Sequence, residues 1–184
     1  MTAQQIEAVL FDLSGTLTTA RSNASAATLL PQAIPALERL RHDDIRTGLI
    51  IQAPDHPFAS LDALTDATVR SDDQLRPFPA PDLPAAVAVR LKASALKRCV
   101  LVSGCADGIS AGLNAGLWTV GTALSGALDR HGNERWATLT HDEQDRIRLQ
   151  ATMTLMNAGA HYVIDDISEL DSCLRDIALR QTTG

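Results

Sequence analysis

Asp12 closes a nearly unbroken apolar run, Ile6-Glu7-Ala8-Val9-Leu10-Phe11, and is followed closely by Ser14-Gly15-Thr16. A carboxylate at the end of a buried strand is held in place, and a Gly-containing turn after it can aim backbone N–H groups at an anion. Aspartate in that setting suits attack on phosphorus, because an acyl phosphate divides one hard displacement into two easier ones. The purely structural alternative is a buried aspartate that caps its own turn. Other candidate positions follow the remaining apolar runs: Gln52, Arg70 to Asp73, Ser103 to Asp107, Thr122 and Asp165-Asp166.

Those positions matter because of the elements that lead to them. Short apolar runs at Ile6–Phe11, Thr47–Ile51, Ala67–Arg70, Cys99–Val102, Trp118–Gly121 and Tyr162–Ile164 read as strands. A helix opened by Pro31 carries Ile34, Leu37 and Leu40 inward, and a short one covers Phe58 to Leu64. Leu83, Val87 and Leu91 mark another helix, and Asp107 to Asn114 a further one, stopped at Gly116. Thr140 and Glu143 form a capping box for a helix to Asn157, and Asp165-Asp166 starts a last helix with Ile167, Leu170, Leu174 and Ile177 inward. Thr18 to Thr28 and the Pro- and Asp-rich stretch Ala53 to Pro57 read as a loop and a turn. Strands alternating with helices predict a doubly wound, Rossmann-like α/β fold: a parallel sheet in three layers, with ligands at the carboxyl ends of its strands.

Composition narrows the function classes. The 184 residues, 45% hydrophobic and 21% charged, are expected to form a single domain over 1–184 and exclude a disordered or low-complexity chain. A net charge of −6 with two lysines argues against a nucleic-acid partner. No apolar run is long enough for a membrane span, and the N-terminus has no signal-peptide pattern. Three cysteines without CxxC spacing point to a reducing, cytoplasmic setting, and the five histidines have no metal-ligand spacing. Cys105, in the loop of the candidate site, is the thiol that could be a reactive nucleophile or redox sensor. Cys99, Trp118 and Trp136 read as packing residues, and His161 as a packed or satisfied surface residue.

Phe11-Asp12-Leu13-Ser14-Gly15-Thr16-Leu17 resembles the first motif, DxDGT, of the haloacid dehalogenase-like hydrolase superfamily. Three further stretches are similar to its phosphonoacetaldehyde hydrolase branch: Ala111 to Gly121, Leu124-Ser125-Gly126 and Ala158 to Asp165. Arg76-Pro77-Phe78-Pro79 is similar to that branch's Arg-Pro-x-Pro segment, so the resemblance covers nearly the whole chain. It implies a HAD-like core and a hydrolase acting on a phosphorylated substrate, with Mg2+ as cofactor. Position by position it implies Asp12 as nucleophile and Ser14 at the acid–base position of the motif. It further implies Gly15 and Thr16 as the phosphate-facing turn, and Gln52 and Arg76 as phosphate ligands. For the metal it implies Asp12, the Ser14 carbonyl and Asp107. The two aspartates of the family's fourth motif fall on Gly104 and Gly108, so Asp107, one position away, is the nearest replacement.

The departures are informative. Phosphonatases carry a helical cap whose lysine forms a Schiff base, whereas about thirty residues separate Asp12 from the second strand here, room for one loop and one helix. Neither Lys92 nor Lys97 lies in a segment that could replace the cap. A serine hydroxyl at position 14 is a poor general acid near neutral pH, and a depleted carboxylate set binds Mg2+ weakly. Each candidate also has a plain structural role: Ser14 bonding its own turn, Arg76 pairing with Asp72-Asp73, Asp107 capping its helix. Two readings follow. One is a capless, degenerate hydrolase for a small phosphorylated molecule or a phosphorylated macromolecule, its open site suiting a homo-oligomer. The alternative is an inactive binding or interaction protein on the same fold.

Overall fold

Six strands assemble into one parallel sheet in the order β3-β2-β1-β4-β5-β6. They are β1 (Ala8–Phe11), β2 (Arg46–Ile51), β3 (Ala67–Arg70), β4 (Cys99–Ser103), β5 (Trp118–Thr122) and β6 (Tyr162–Ile164). The computed structural model describes residues 6–19, 27–52, 59–72, 74–131 and 133–183. The turn expected at Ala53 to Pro57, Phe58 and part of the loop after Thr18 lie outside the described residues.

Period-two alternation explains the two cores. Val9, Phe11, Val100, Val102 and Val120 point to one face. There they meet α1 (Ala33–His42), Leu61 of α2 (Ala59–Leu64) and α8 (Leu170–Thr183). Ala8, Leu10, Ile50, Cys99 and Leu101 point to the other, against α3 (Asp82–Arg90). On that side α4 (Ala106–Asn114) packs Gly112 against Leu101 and Thr119, and α7 (His141–Asn157) lays Leu155 over Gly121. These contacts make the three layers expected.

The boundaries follow local chemistry. The Thr140–Glu143 capping box is present at the start of α7. Asp166 accepts a hydrogen bond from Ser168 N, so a 3-10 turn (Ile167–Glu169) precedes α8. α1 starts at Ala33, two residues after Pro31, because the Leu30 carbonyl first closes a turn with Ala33 N. Two helices, α5 (Ala123–His131) and α6 (Asn133–Thr138), occupy a stretch where no helix was expected. Its apolar stripe is short and made of small residues: Ala123 and Ala127 pack with Ile109, Ala151 and Leu155. His161 is a satisfied surface residue: its Nδ1 accepts from Thr119 N at 3.1 Å and its ring lies against Trp118.

The amino ends of the central strands are clasped by Glu7. Its carboxylate accepts from Ser94 N (2.7 Å), Ser94 Oγ (2.6 Å) and Arg98 Nη1 (2.6 Å), and pairs with Arg46 Nη2 at 3.3 Å. The Ser94 hydrogen bonds, aided by Arg98, hold its pKa down at about 2, against an ordinary 4.5. A carboxyl depressed in the folded state stabilises it above the ordinary value, and that contribution is lost as pH falls from 4.5 toward 2. Glu7→Gln is therefore expected to cost about 1–3 kcal/mol at pH 7. Urea melts at pH 7, 4 and 2.5 should show the gap between the two proteins closing as pH falls.

Candidate active site

The sheet order turns back between β1 and β4, and the crevice at their carboxyl ends is where such folds gather ligands. Asp12 lies there. Its N–H donates to Val102 O at 3.3 Å, prolonging the β1–β4 ladder by one step, and the residue is 5% exposed. Thr16 Oγ1 donates to Asp12 Oδ1, and Ser103 Oγ donates to Asp12 Oδ2. A carboxylate is acceptor-only, so a hydroxyl on each oxygen fixes its plane.

The turn after β1 folds around one carbonyl. Leu13 O accepts from the N–H groups of Thr16 (3.2 Å), Leu17 (2.9 Å) and Thr18 (2.9 Å), while Gly15 N donates to Thr18 O at 2.8 Å. The N–H groups of Gly15 and Thr16 thus donate within the turn rather than toward an anion. Gly15, at φ 72°, turns its carbonyl toward β5 and α5, where Thr122 Oγ1 and Ser125 Oγ donate to it at 2.8 and 2.9 Å. Thr16 is fully buried and its hydroxyl also accepts from Gly104 N at 2.9 Å. Ser14 is exposed and bridges to Thr18.

Ser103, the last residue of β4, is the site residue given no role by the sequence reading. The register pairs Phe11 with Val102, so Asp12 and Ser103 come next on neighbouring strands, in phase with Leu10 and Leu101. Two glycines make room for this arrangement. A Cβ on Gly108 would stand 2.1 Å from Ser103 Oγ, and one on Gly104 would stand 2.6 Å from Gly15 O. Cys105 caps α4, its Sγ accepting from Gly108 N at 3.4 Å and lying 4.0 Å from Asp12 Oδ2. Burial, and then the charge of Asp12, push the Cys105 thiol pKa up.

The rim differs from expectation in its pairings. Arg76 grips Asp82 through Nε (3.0 Å) and Nη2 (2.8 Å), with its backbone N adding a third bond at 3.0 Å. Those bonds hold the Asp82 carboxyl at about 2. Asp72 instead accepts from Gln74 N and Leu75 N, so Arg76 pairs with Asp82 and not with Asp72, while Asp73 of the expected pair lies outside the described residues. Gln52 Oε1 accepts from Phe78 N at 3.0 Å, tying β2 to the proline segment. Asp107 is exposed in the first turn of α4, whose cap is Cys105. A cavity of about 500 Å³ lies at the opposite, amino-terminal end of the sheet, lined by Ile6, Leu40, Asp44, Asp171 and Leu174 among others.

The sequence is 32% identical over 168 residues to phosphonoacetaldehyde hydrolase of Aeromonas hydrophila, a match covering 84% of this chain and 58% of that protein. One solved structure, 33% identical, superposes over 98% of both chains with a TM-score of 0.85. The crystal structure of a phosphonoacetaldehyde hydrolase like protein from Oleispira antarctica, 22% identical, shares the fold over 99% of this chain and 96% of its own, also at TM-score 0.85. The chain belongs to the haloacid dehalogenase-like superfamily, as a relative of phosphonoacetaldehyde hydrolase. No family model matches it.

It spans 58% of the length of that curated phosphonatase relative. Among the described residues α1 is the one helix between β1 and β2, where the phosphonatase cap would enter. Lys92 and Lys97 are exposed and precede β4, at the end of the sheet away from Asp12.

The Mg2+ implied by the superfamily does not fit the donor set. Both Asp12 oxygens accept from hydroxyls, and the backbone at Gly104 packs on Gly15 where a side chain would have to grow. Among the described residues no group of three or more His, Cys, Asp or Glu could hold a metal ion. Magnesium demands near-octahedral oxygen ligands, usually including one or two carboxylates.

Two outcomes are expected from this packing. Gly104→Ala should destabilise the fold by about 1–3 kcal/mol, read by thermal denaturation, because backbone must yield to its Cβ. Cys105 should alkylate with iodoacetamide at pH 7.5 more slowly than a small free thiol, because burial and the charge of Asp12 disfavour its thiolate, measured by peptide mass spectrometry.

Proposed function

We propose that the chain is a slow, Asp12-dependent hydrolase of a phosphorylated small molecule, in which Thr16 and Ser103 orient the nucleophile. The observation that carries this reading is the placement of Asp12: buried, at the switch point, with a hydroxyl donor on each oxygen. In the reaction an Asp12 carboxylate oxygen bonds to phosphorus as the ester P–O bond breaks, and the leaving alkoxide takes a proton from water. Water then cleaves the acyl phosphate, releasing inorganic phosphate and restoring the carboxylate. The rate is low because two anions meet with little cationic charge between them, and the guanidinium of Arg76 is paired with Asp82.

The same pairing favours a second reading, a non-catalytic binding or interaction protein that keeps the hydrolase fold. A reducing, cytoplasmic setting accords with three free cysteines. No helix among the described residues is long and apolar enough to cross a membrane.

Phosphate release from a broad panel of phosphate esters, compared between wild type and Asp12→Asn, separates the two. A slow release that falls at least tenfold in the variant supports the hydrolase. Equal rates in both proteins select the second reading.

A further inference from the structure

We infer that Ser103 occupies the role a divalent cation has elsewhere in the superfamily, so that the Asp12 pocket is complete without metal. This rests on the reading of Asp12 as the reactive carboxylate, and it names what regulates the state of that group. Three observations converge. Ser103 Oγ donates to Asp12 Oδ2 while Thr16 Oγ1 donates to Oδ1, so each oxygen already has a donor from the protein. Ser103 is itself fully buried and its hydroxyl is seated against Gly108, where a Cβ would stand 2.1 Å from Oγ. At Gly104, where the resemblance places the first metal-binding aspartate, a Cβ would stand 2.6 Å from the carbonyl oxygen of Gly15, so a carboxylate cannot enter without separating two backbone segments.

The chemistry is a substitution of donors. A cation neutralises a carboxylate and fixes its orientation; a hydroxyl supplies the orientation and a hydrogen bond but no charge. Ser103 is in these terms a positioning residue acting through Asp12. Its placement follows from strand register, because Phe11 pairs with Val102 and the next residues face each other at the ladder's end.

Mn2+ binding, followed by electron paramagnetic resonance on the intact protein, tests this without turnover. Wild type and Asp12→Asn should retain the same free Mn2+ signal up to about 5 mM, since carboxylate-poor sites bind weakly. A site in wild type with Kd below about 1 mM that disappears in Asp12→Asn overturns the inference. Ser103→Ala uncovers Asp12 Oδ2 and should lower the free Mn2+ signal below that of wild type at the same total Mn2+. Unchanged binding in Ser103→Ala also overturns it, because a merely structural serine leaves metal affinity alone. Any phosphate release by wild type should be the same with and without EDTA. Absence of phosphate release overturns the proposed hydrolase while the Mn2+ result stands, so the two fail separately.

Discussion

Burying the carboxylate of Asp12 is the constraint around which this end of the molecule is organised. A charge taken out of water is tolerated only when its hydrogen-bonding capacity is met by the protein. Thr16 meets one oxygen from within the same turn, and Ser103 meets the other from the neighbouring strand. Each donor brings further requirements. Ser103 needs a bare Gly108 beneath it, and Thr16 needs the backbone of Gly104 close enough to donate to its hydroxyl. Gly15 must then turn its carbonyl outward, where Thr122 and Ser125 receive it. Short hydroxyl side chains and missing Cβ atoms, in a shell a few ångströms thick, replace the larger acidic residues that the family resemblance would place there.

The opposite end of the sheet uses charge where this end uses neutral donors. Glu7 gathers Arg46 at the head of β2, Arg98 before β4 and Ser94 in the preceding loop. The central strands β1 and β4 are therefore fastened at both ends. Fastening matters because a slip of one residue along β1 would turn Asp12 to the other face of the sheet and away from Ser103. Register is thus part of the site, although the Glu7 clasp that helps set it lies at the far end of the sheet.

Much of the fold was legible because its signals are local. Apolar runs marked all six strands, with β3 and β6 at the bounds observed, and the Thr140–Glu143 pair marked the start of α7. α5 escaped because its inward stripe, Ala123 and Ala127, is made of small residues and acquires its meaning only through packing against α7. At the site, Asp12 stood out from its position after a strand. The role of Ser103 did not, since it depends on which strand lies beside β1, and sequence order does not give sheet order. The partner of Arg76 was missed for a similar reason. The proline segment folds back so that Asp82, rather than the nearer Asp72, reaches the guanidinium.

The contact between Gly104 and Gly15 has a corollary for position 104. Where two stretches of main chain settle against each other, no space is held open for a side chain between them. An aspartate introduced at position 104, where the family resemblance would place one, would meet backbone rather than a vacant ligand position. Its entry would need a prior mutation that moves the Gly15 turn, and that change would by itself disturb Thr16 and its hold on Asp12. The packing therefore makes position 104 a two-step problem for any carboxylate: the Gly15 turn has to move before the side chain can enter.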